Sequence, residues 1–269
     1  MKLRVLVDNN TYIDDYYVGE PAISYYIEDE DEKILFDTGY SNILINNAEK
    51  MGIKLNNLTK IVFSHGHNDH TGGFLHIEKH CDLKNITIIA HPNAFYKKYY
   101  DGEEIGAPFS LEYLKSKYKM ELKKEPFFIS ERILFLGEIP EYHEFEKRTD
   151  IGEIEIEGLR KLDYVLDDSA IVYKSNKGLF IITGCSHSGI CNVIEHAKKL
   201  LKDDRIIGVI GGFHLFETDE KLKKTIDYLK FIGVEEMYPC HCVSFNAKAE
   251  IYKELHVHEV GVGMEIELN

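Results

Sequence analysis

The sequence predicts an α+β protein in which two mixed β-sheets pack face to face with helices on the outer faces. Three observations predict it. Strand patterns dominate both halves of the 269-residue chain, each half also carries helices, and no short repeat is visible. The hydrophobic fraction of 44% with 29% charged residues is ordinary for a globular protein. The length suits one large domain or two small ones. We read a single domain over 1–269, with an insertion or lid at about 93–150.

In chain order, residues 3–7, 22–27 and 33–36 read as strands, the third ending in Asp37-Thr38-Gly39. A helix is expected over 41–51, and a strand over 60–63 leads into "SHGHNDHTGG". The next helix is expected to start near Asp69, a favoured residue at a helix start, and to run through Phe74 and Ile77. Residues 86–90 form a buried strand ending at His91-Pro92. The stretch 93–150 is rich in Tyr, Lys and Glu and is broken by Pro108, Pro126 and Pro140. Residues 170–173 and 179–183 read as a hairpin around Ser175-Asn176-Lys177-Gly178. Helices follow over 190–201, 220–231 and 247–255, with strands at 205–210 and 236–238, and a last strand closes the chain.

Composition excludes some functions. A formal charge of −14 argues against nucleic acid as a partner, because phosphate neutralisation needs a basic face. No apolar run approaches the roughly 20 residues that cross a bilayer. Met1–Val7 turns polar too soon for a signal peptide and reads as a strand, so no membrane partner and a cytoplasmic location are expected. Five cysteines (Cys81, Cys185, Cys191, Cys240, Cys242) are an odd, dispersed set that favours reduced thiols.

The chemistry concentrates at His65, His67, Asp69 and His70, just past a strand end. Positions i and i+2 of extended backbone point to one side, and the chain then turns into a helix, so four ligand-type groups converge on one bend. Imidazole nitrogen and carboxylate oxygen suit borderline divalent metals. A His-rich polar loop is the blander alternative, and the H-x-H-x-D-H spacing followed by Thr71-Gly72-Gly73 argues against it.

The H-x-H-x-D-H run after a buried strand, with Asp37-Thr38-Gly39 upstream, resembles the metallo-β-lactamase superfamily. The resemblance implies an αβ/βα four-layer sandwich with a one- or two-metal site. It implies that Asp37 braces the ligand loop, and that His65, His67, Asp69 and His70 bind metal. It places a late ligand at His241 in "YPCHC", where Cys240 stands in the place of the family's glycine. The middle motifs depart from the pattern. The family's Gly-Asp position holds Gly184-Cys185, and "LDYVLDDSA" upstream has no histidine. His187 is the replacement ligand the resemblance suggests, with Cys185 as a bridging thiolate, Asp168 and then Asp167 as weaker candidates.

"DDSAIV", "GLFIITGCSHSGICN" and "GVIGGFHL" narrow the resemblance to a subgroup related to the dihydropterin-aminobenzene-phosphate synthases and to metal-dependent hydrolases. This implies that His214 reaches substrate. The subgroup reads H-C-T-G at its late histidine, whereas this chain reads His241-Cys242-Val243-Ser244. The implied cofactors are two divalent ions, with zinc first and manganese, iron or magnesium as alternatives. His65, His67 and His187 would hold one, and Asp69, His70 and His241 the other. Asp69 and His214 are the candidate catalytic groups, and His91 is a weaker substrate-facing candidate. The implied partner is a phosphorylated or pterin-like small molecule, and homo-oligomerisation is compatible with it.

Hydrolysis by metal-activated water and transfer of an activated pterin to an arylamine use the same ligands. A metal-binding or redox sensor without turnover is the competing class, suggested by Cys185 and the Cys-His-Cys at 240–242. A nucleophile elbow at Gly184–Gly189 fails, because position 188 of the G-x-S-x-G pattern is Ser. His76 and His80 read as a solvated helix face, and His143, His196, His256 and His258 as surface residues. Phe95, Tyr96, Tyr99, Tyr100 and Phe109 read as packing, with stacking on a flat heteroaromatic ligand as the alternative.

Overall fold

Apolar β-formers along Ser24–Asp29, Glu32–Phe36, Lys60–Val62 and Thr87–Ala90 bury their side chains and pair as neighbours in a seven-stranded mixed sheet. The computed structural model describes residues 1–268 and is α+β. Two compact units are present. The first holds Met1–Lys124, Asp150–Asp167 and the segment from Gly261, and the second Glu125–Thr149 and Asp168–Val260.

In the first unit, Lys2–Val7 lies between Glu265–Glu267 and Ser24–Asp29 in antiparallel register. From Glu32–Phe36 onward the pairs are parallel, with Phe36 opposite Val62 and Val62 opposite Ile89. Parallel pairing puts the carboxyl ends of these three strands on one edge, so Asp37, Ser64 and His91 emerge side by side. A four-stranded antiparallel sheet completes the unit in the order Leu159–Leu162, Glu153–Ile156, Lys97–Tyr100, Glu103–Glu104. The core gathers Leu35, Phe63, Phe74, Ile88 and Phe95. Phe63 meets Phe74 and Phe95 edge-on at 6.1 and 5.8 Å, which anchors the residue just before the histidine loop.

In the second unit a six-stranded sheet runs Met237–Pro239, Ile206–Gly211, Leu179–Thr183, Ala170–Lys174, Ile133–Phe135, Phe127–Phe128. The expected hairpin is present, with Ala170 opposite Thr183. The strands 179–183, 206–211 and 237–239 are parallel, so their carboxyl ends also share one edge. The helices Ile190–Leu201, Glu220–Ile232 and Phe245–Glu254 bury Ile194, Leu229 and Ile251 in this unit's core. Asp219 and Ser244 cap the second and third through the N–H groups of Leu222 and Ala247.

Several local expectations change. The helix after the histidine motif is divided into Asn68–Thr71 and Phe74–His80, broken at Gly72-Gly73, the poorest helix formers in the run. The stretch 93–150 is more regular than its prolines suggest. Lys119–Leu122 extends the first unit's sheet and Ile133–Phe135 the second's. The sequence hid Lys119–Leu122 because an edge strand with charged residues lacks an apolar pattern. His196 is not a surface residue. It is 7% exposed, with its ring nitrogens at the Tyr142 hydroxyl and the Leu136 carbonyl. No helix among the described residues is long and apolar enough to cross a membrane.

Candidate metal centre

The histidine loop of the first unit is built on a buried carboxylate. Asp37, wholly buried, accepts the Ser64 N–H at 2.7 Å, the Ser64 hydroxyl at 2.6 Å and His70 Nδ1 at 2.7 Å. Nδ1 donates to Asp37, which leaves Nε2, 3.4 Å from Asp69 Oδ2, as the nitrogen that would bind metal once its proton is displaced. His65 Nε2 and His67 Nδ1 lie 3.0 Å apart, and the His65 and His70 rings are 4.1 Å apart. Four ligand-type side chains therefore converge as the spacing predicts, and the three imidazoles are buried. Burial and the nearby Lys98 ammonium push the His67 imidazole down to about 4, so it is neutral at physiological pH, the form that binds metal. Burial also opposes a proton on His70, but Asp69 and Asp37 outweigh it and hold that ring well above the ordinary range.

Two further groups support this loop. The Gly66 N–H, between His65 and His67, donates to Asp167 Oδ2 at 2.8 Å. A Cβ on Gly66 would stand 1.9 Å from the Ala94 carbonyl oxygen, so this position takes glycine for closeness of approach. Asp167 and Asp163 both accept from the buried ammonium of Lys98, at 2.8 and 2.6 Å. Burial disfavours every charge here. Even so, Lys98 holds Asp167 below the ordinary carboxylate value, and the two aspartates raise Lys98. His91 is buried at the adjacent strand end, accepting from the Asn93 N–H at 3.1 Å, and its ring acts electrostatically on Asp167. Sequence reading did not single out Ser64, Lys98 or Asp163. Lys97-Lys98 looks like a solvated edge, and its partners lie 65 and 69 positions away.

The second unit carries its candidates past the ends of its parallel strands. Cys185 and His187 follow Leu179–Thr183, His214 follows Ile206–Gly211, and His241 follows Met237–Pro239. The His187 and His214 rings lie 4.5 Å apart. Burial, with Lys221 and His241 nearby, pushes His214 down to about 4. The Gly-Gly before Phe213 has a steric reason, since a Cβ on Gly212 would meet Cys242 Sγ at 2.4 Å and the Gly184 carbonyl at 2.7 Å. The Cys242 thiol donates to the Cys185 carbonyl at 3.5 Å, which ties the two cysteine segments together.

Asp168 is fully buried, and its Oδ2 accepts both the N–H (2.9 Å) and the hydroxyl of Ser188. Its Oδ1 has no hydrogen-bond partner among the described residues. Burial raises this carboxyl, against the opposing pull of Arg148 and Ser188. Asp168 thus steadies the turn after His187 much as Asp37 steadies the loop before His70. Val243 packs into the core and Ser244 caps the last helix, so both departures from H-C-T-G have local structural uses.

Asp37, Ser186, His214 and His241 all take left-handed backbone, with φ between 50 and 57°. Non-glycine residues pay about 1–2 kcal/mol for that conformation, and it clusters at functional sites. The donor chemistry suits divalent metal: a neutral His67, His70 with Nε2 turned to Asp69, a partly exposed Asp69 and a buried carboxylate oxygen at Asp168. Of the aromatic group, Phe95 and Phe109 belong to the packed cluster around Phe63, and Tyr99 lies under the Arg160 guanidinium.

Residues 18–191 match the family described as the metallo-beta-lactamase superfamily. The chain is 36% identical over 253 residues to the uncharacterized protein MJ0448 of Methanocaldococcus jannaschii, covering 93% of each. It is 32% identical over 269 residues to the 7,8-dihydropterin-6-methyl-4-(β-D-ribofuranosyl)-aminobenzene-5'-phosphate synthase of the same organism, covering 94% of this chain and 91% of the synthase. Among solved structures, Tm1679, a metal-dependent hydrolase of the β-lactamase superfamily, is similar with a TM-score of 0.85 and 28% identity, over 100% of this chain and 99% of that one. With H-x-H-x-D-H on the bend after a parallel strand and a family match across most of the chain, this protein belongs to the metallo-β-lactamase superfamily and has its fold.

Proposed function

We propose that this protein is a metal-dependent enzyme that acts on a phosphorylated small molecule through two divalent ions, zinc the first candidate. The observation that carries the reading is the buried His65-His67-His70 loop braced from beneath by Asp37. His65, His67 and His187 would hold one ion, and Asp69, His70 and His241 the other. When bound, such ions acidify water toward hydroxide and offset charge on phosphoryl oxygens. Asp37 holds the Nδ1 proton of His70 so that Nε2 is the nitrogen offered to metal, and Asp167 holds the Gly66 amide so that His65 and His67 stay aligned. Asp69, with its side chain 28% exposed, can orient the attacking group. His214, neutral at physiological pH, would hydrogen-bond the substrate without adding charge.

The finer reaction we propose is transfer of a dihydropterin to an aminobenzene ribose phosphate, with pyrophosphate leaving. Its support is the similarity to the synthase over 94% of the chain. Phosphoester hydrolysis is the second reading, supported by the likeness to a metal-dependent hydrolase. A turnover screen with zinc, manganese and iron separates them. Amine-dependent consumption of dihydropterin pyrophosphate is expected, and turnover of phosphodiesters or thioesters alone favours hydrolysis. A fully metallated protein that turns over nothing would leave the sensor reading in its place. Metal analysis tests the ligands: His65→Ala and His187→Ala should each lower the metal content by about one ion per chain, and a His187 variant with full content removes His187 from the set.

A further inference from the structure

We propose a second, peripheral metal site formed by Glu236, His256 and His258, which takes a borderline divalent cation such as zinc. It does not depend on the function proposed above. One ligand atom from each of the three residues lies within 4.8 Å of the others. His256 Nδ1 lies 2.7 Å from Glu236 Oε2, and His258 Nε2 meets the same oxygen. The two imidazole rings are 4.7 Å apart.

Backbone pairing preorganises this cluster. Val257 forms a parallel bridge with Met237. The Met237 N–H donates to the His256 carbonyl at 2.9 Å, and the His258 N–H to the Met237 carbonyl at 2.8 Å. On that extended segment Val257 packs against the core while His256 and His258, two positions apart, point the other way. Glu236 stands at the start of the neighbouring strand. The Tyr238 ring stacks on His258 at 4.5 Å and 11° between planes, which fixes the plane of one ligand.

Two imidazole nitrogens thus converge on a single carboxylate oxygen. A divalent ion accepts lone pairs from both neutral rings and the charge of the carboxylate at once. Two histidines and a carboxylate are a donor set that zinc takes with a water in the fourth position. The bound ion would tie the segment after the helix Phe245–Glu254 to the strand Met237–Pro239 and close the loop that carries His241.

The test uses the full chain equilibrated with zinc buffered at about 1 μM free ion, a level that selects sites of micromolar or tighter affinity. Zinc per chain is counted for the parent, His65→Ala, and each of these with His256→Ala and His258→Ala added. The expected result is one zinc per chain fewer whenever the surface pair is removed, in both backgrounds. In the His65→Ala background, removing the pair should reduce the zinc-induced rise in melting temperature by about 2–4 °C. Circular dichroism checks folding, and the single His256→Asn variant, which keeps a polar side chain, should weaken zinc binding at least tenfold. Equal zinc content with and without the pair, in folded protein, overturns the proposal. The difference between parent and His65→Ala, with the pair intact in both, bears only on the function proposed above, and the difference made by removing the pair bears only on this site.

Discussion

Asp37 shows how one buried residue sets the chemistry of another. Its carboxylate takes three donors from Ser64 and His70, and it sits in left-handed backbone to do so. The motif made His65, His67, Asp69 and His70 legible in the sequence, because their spacing alone implies convergence. Their supports were not legible, since Ser64, Asp163 and Lys98 are common residue types with no local pattern. Gly66 is the sharpest residue-level test. Gly66→Ala sets a methyl against the Ala94 carbonyl and pulls the amide away from Asp167. We expect a loss of about 1–3 kcal/mol in urea unfolding and weakened metal retention in dialysis against a chelator. An alanine variant with parent metal affinity would sink this reading of the loop.

At the level of elements, distant segments complete what a helix or strand lacks. The helix Ile190–Leu201 starts at Gly189 with no side-chain cap of its own. Glu146, 45 and 46 positions upstream, accepts the N–H groups of Cys191 and Asn192 at 3.1 and 2.8 Å. Asn192 in turn accepts the N–H groups of Tyr142 and His143. Glu146→Ala should therefore cost about 1–3 kcal/mol, from stranding buried donors at a helix start where a negative charge is favoured. A change within about 0.5 kcal/mol would show that water serves the helix end as well.

The strand Lys97–Tyr100 carries the other long-range tie, the Lys98 ammonium between Asp163 and Asp167. Lys98→Met leaves two buried carboxylates uncompensated, for an expected loss of about 3–5 kcal/mol at pH 7. The pH dependence has a definite sign. Asp167 is held below its ordinary 3.8, so its contribution is present above that pH and fades as pH falls through the depressed value. Lys98 is raised above 10.5, so its contribution is present below that pH and fades as pH rises through the raised value. Without Lys98 the stranded carboxylates take up protons at a higher pH than in the parent, so the gap between parent and Lys98→Met should narrow as pH falls, starting above the parent's own transition. A gap that widens toward acid would point to a different partner.

For the whole molecule, each unit has its own core and its own row of parallel strand ends, and each row offers metal-ligand side chains. Ligation by the residues proposed would make stability depend on metal. Removing the ions with a chelator should lower the melting temperature by about 5 °C or more, restored by zinc, if the parent is saturated roughly 100-fold above its dissociation constant. An unchanged melting temperature after verified metal loss would count against ligation that matters to the fold.

The fold class, the order of most strands and helices, and the position of the histidine loop were legible in the residues alone. These are local properties: periodicity, strand-end spacing and turn chemistry act over a few residues and survive in a one-dimensional reading. Packing, by contrast, set that Asp167 steadies Gly66 while Asp168 steadies Ser188, that Glu146 caps a helix it is not part of, and that His196 is buried. It alone brought Glu236 to His256 and His258. Hydrogen bonds and ion pairs between residues 20 to 101 positions apart form through the packing of strands, and nothing in the neighbouring residues encodes which carboxylate will meet which donor.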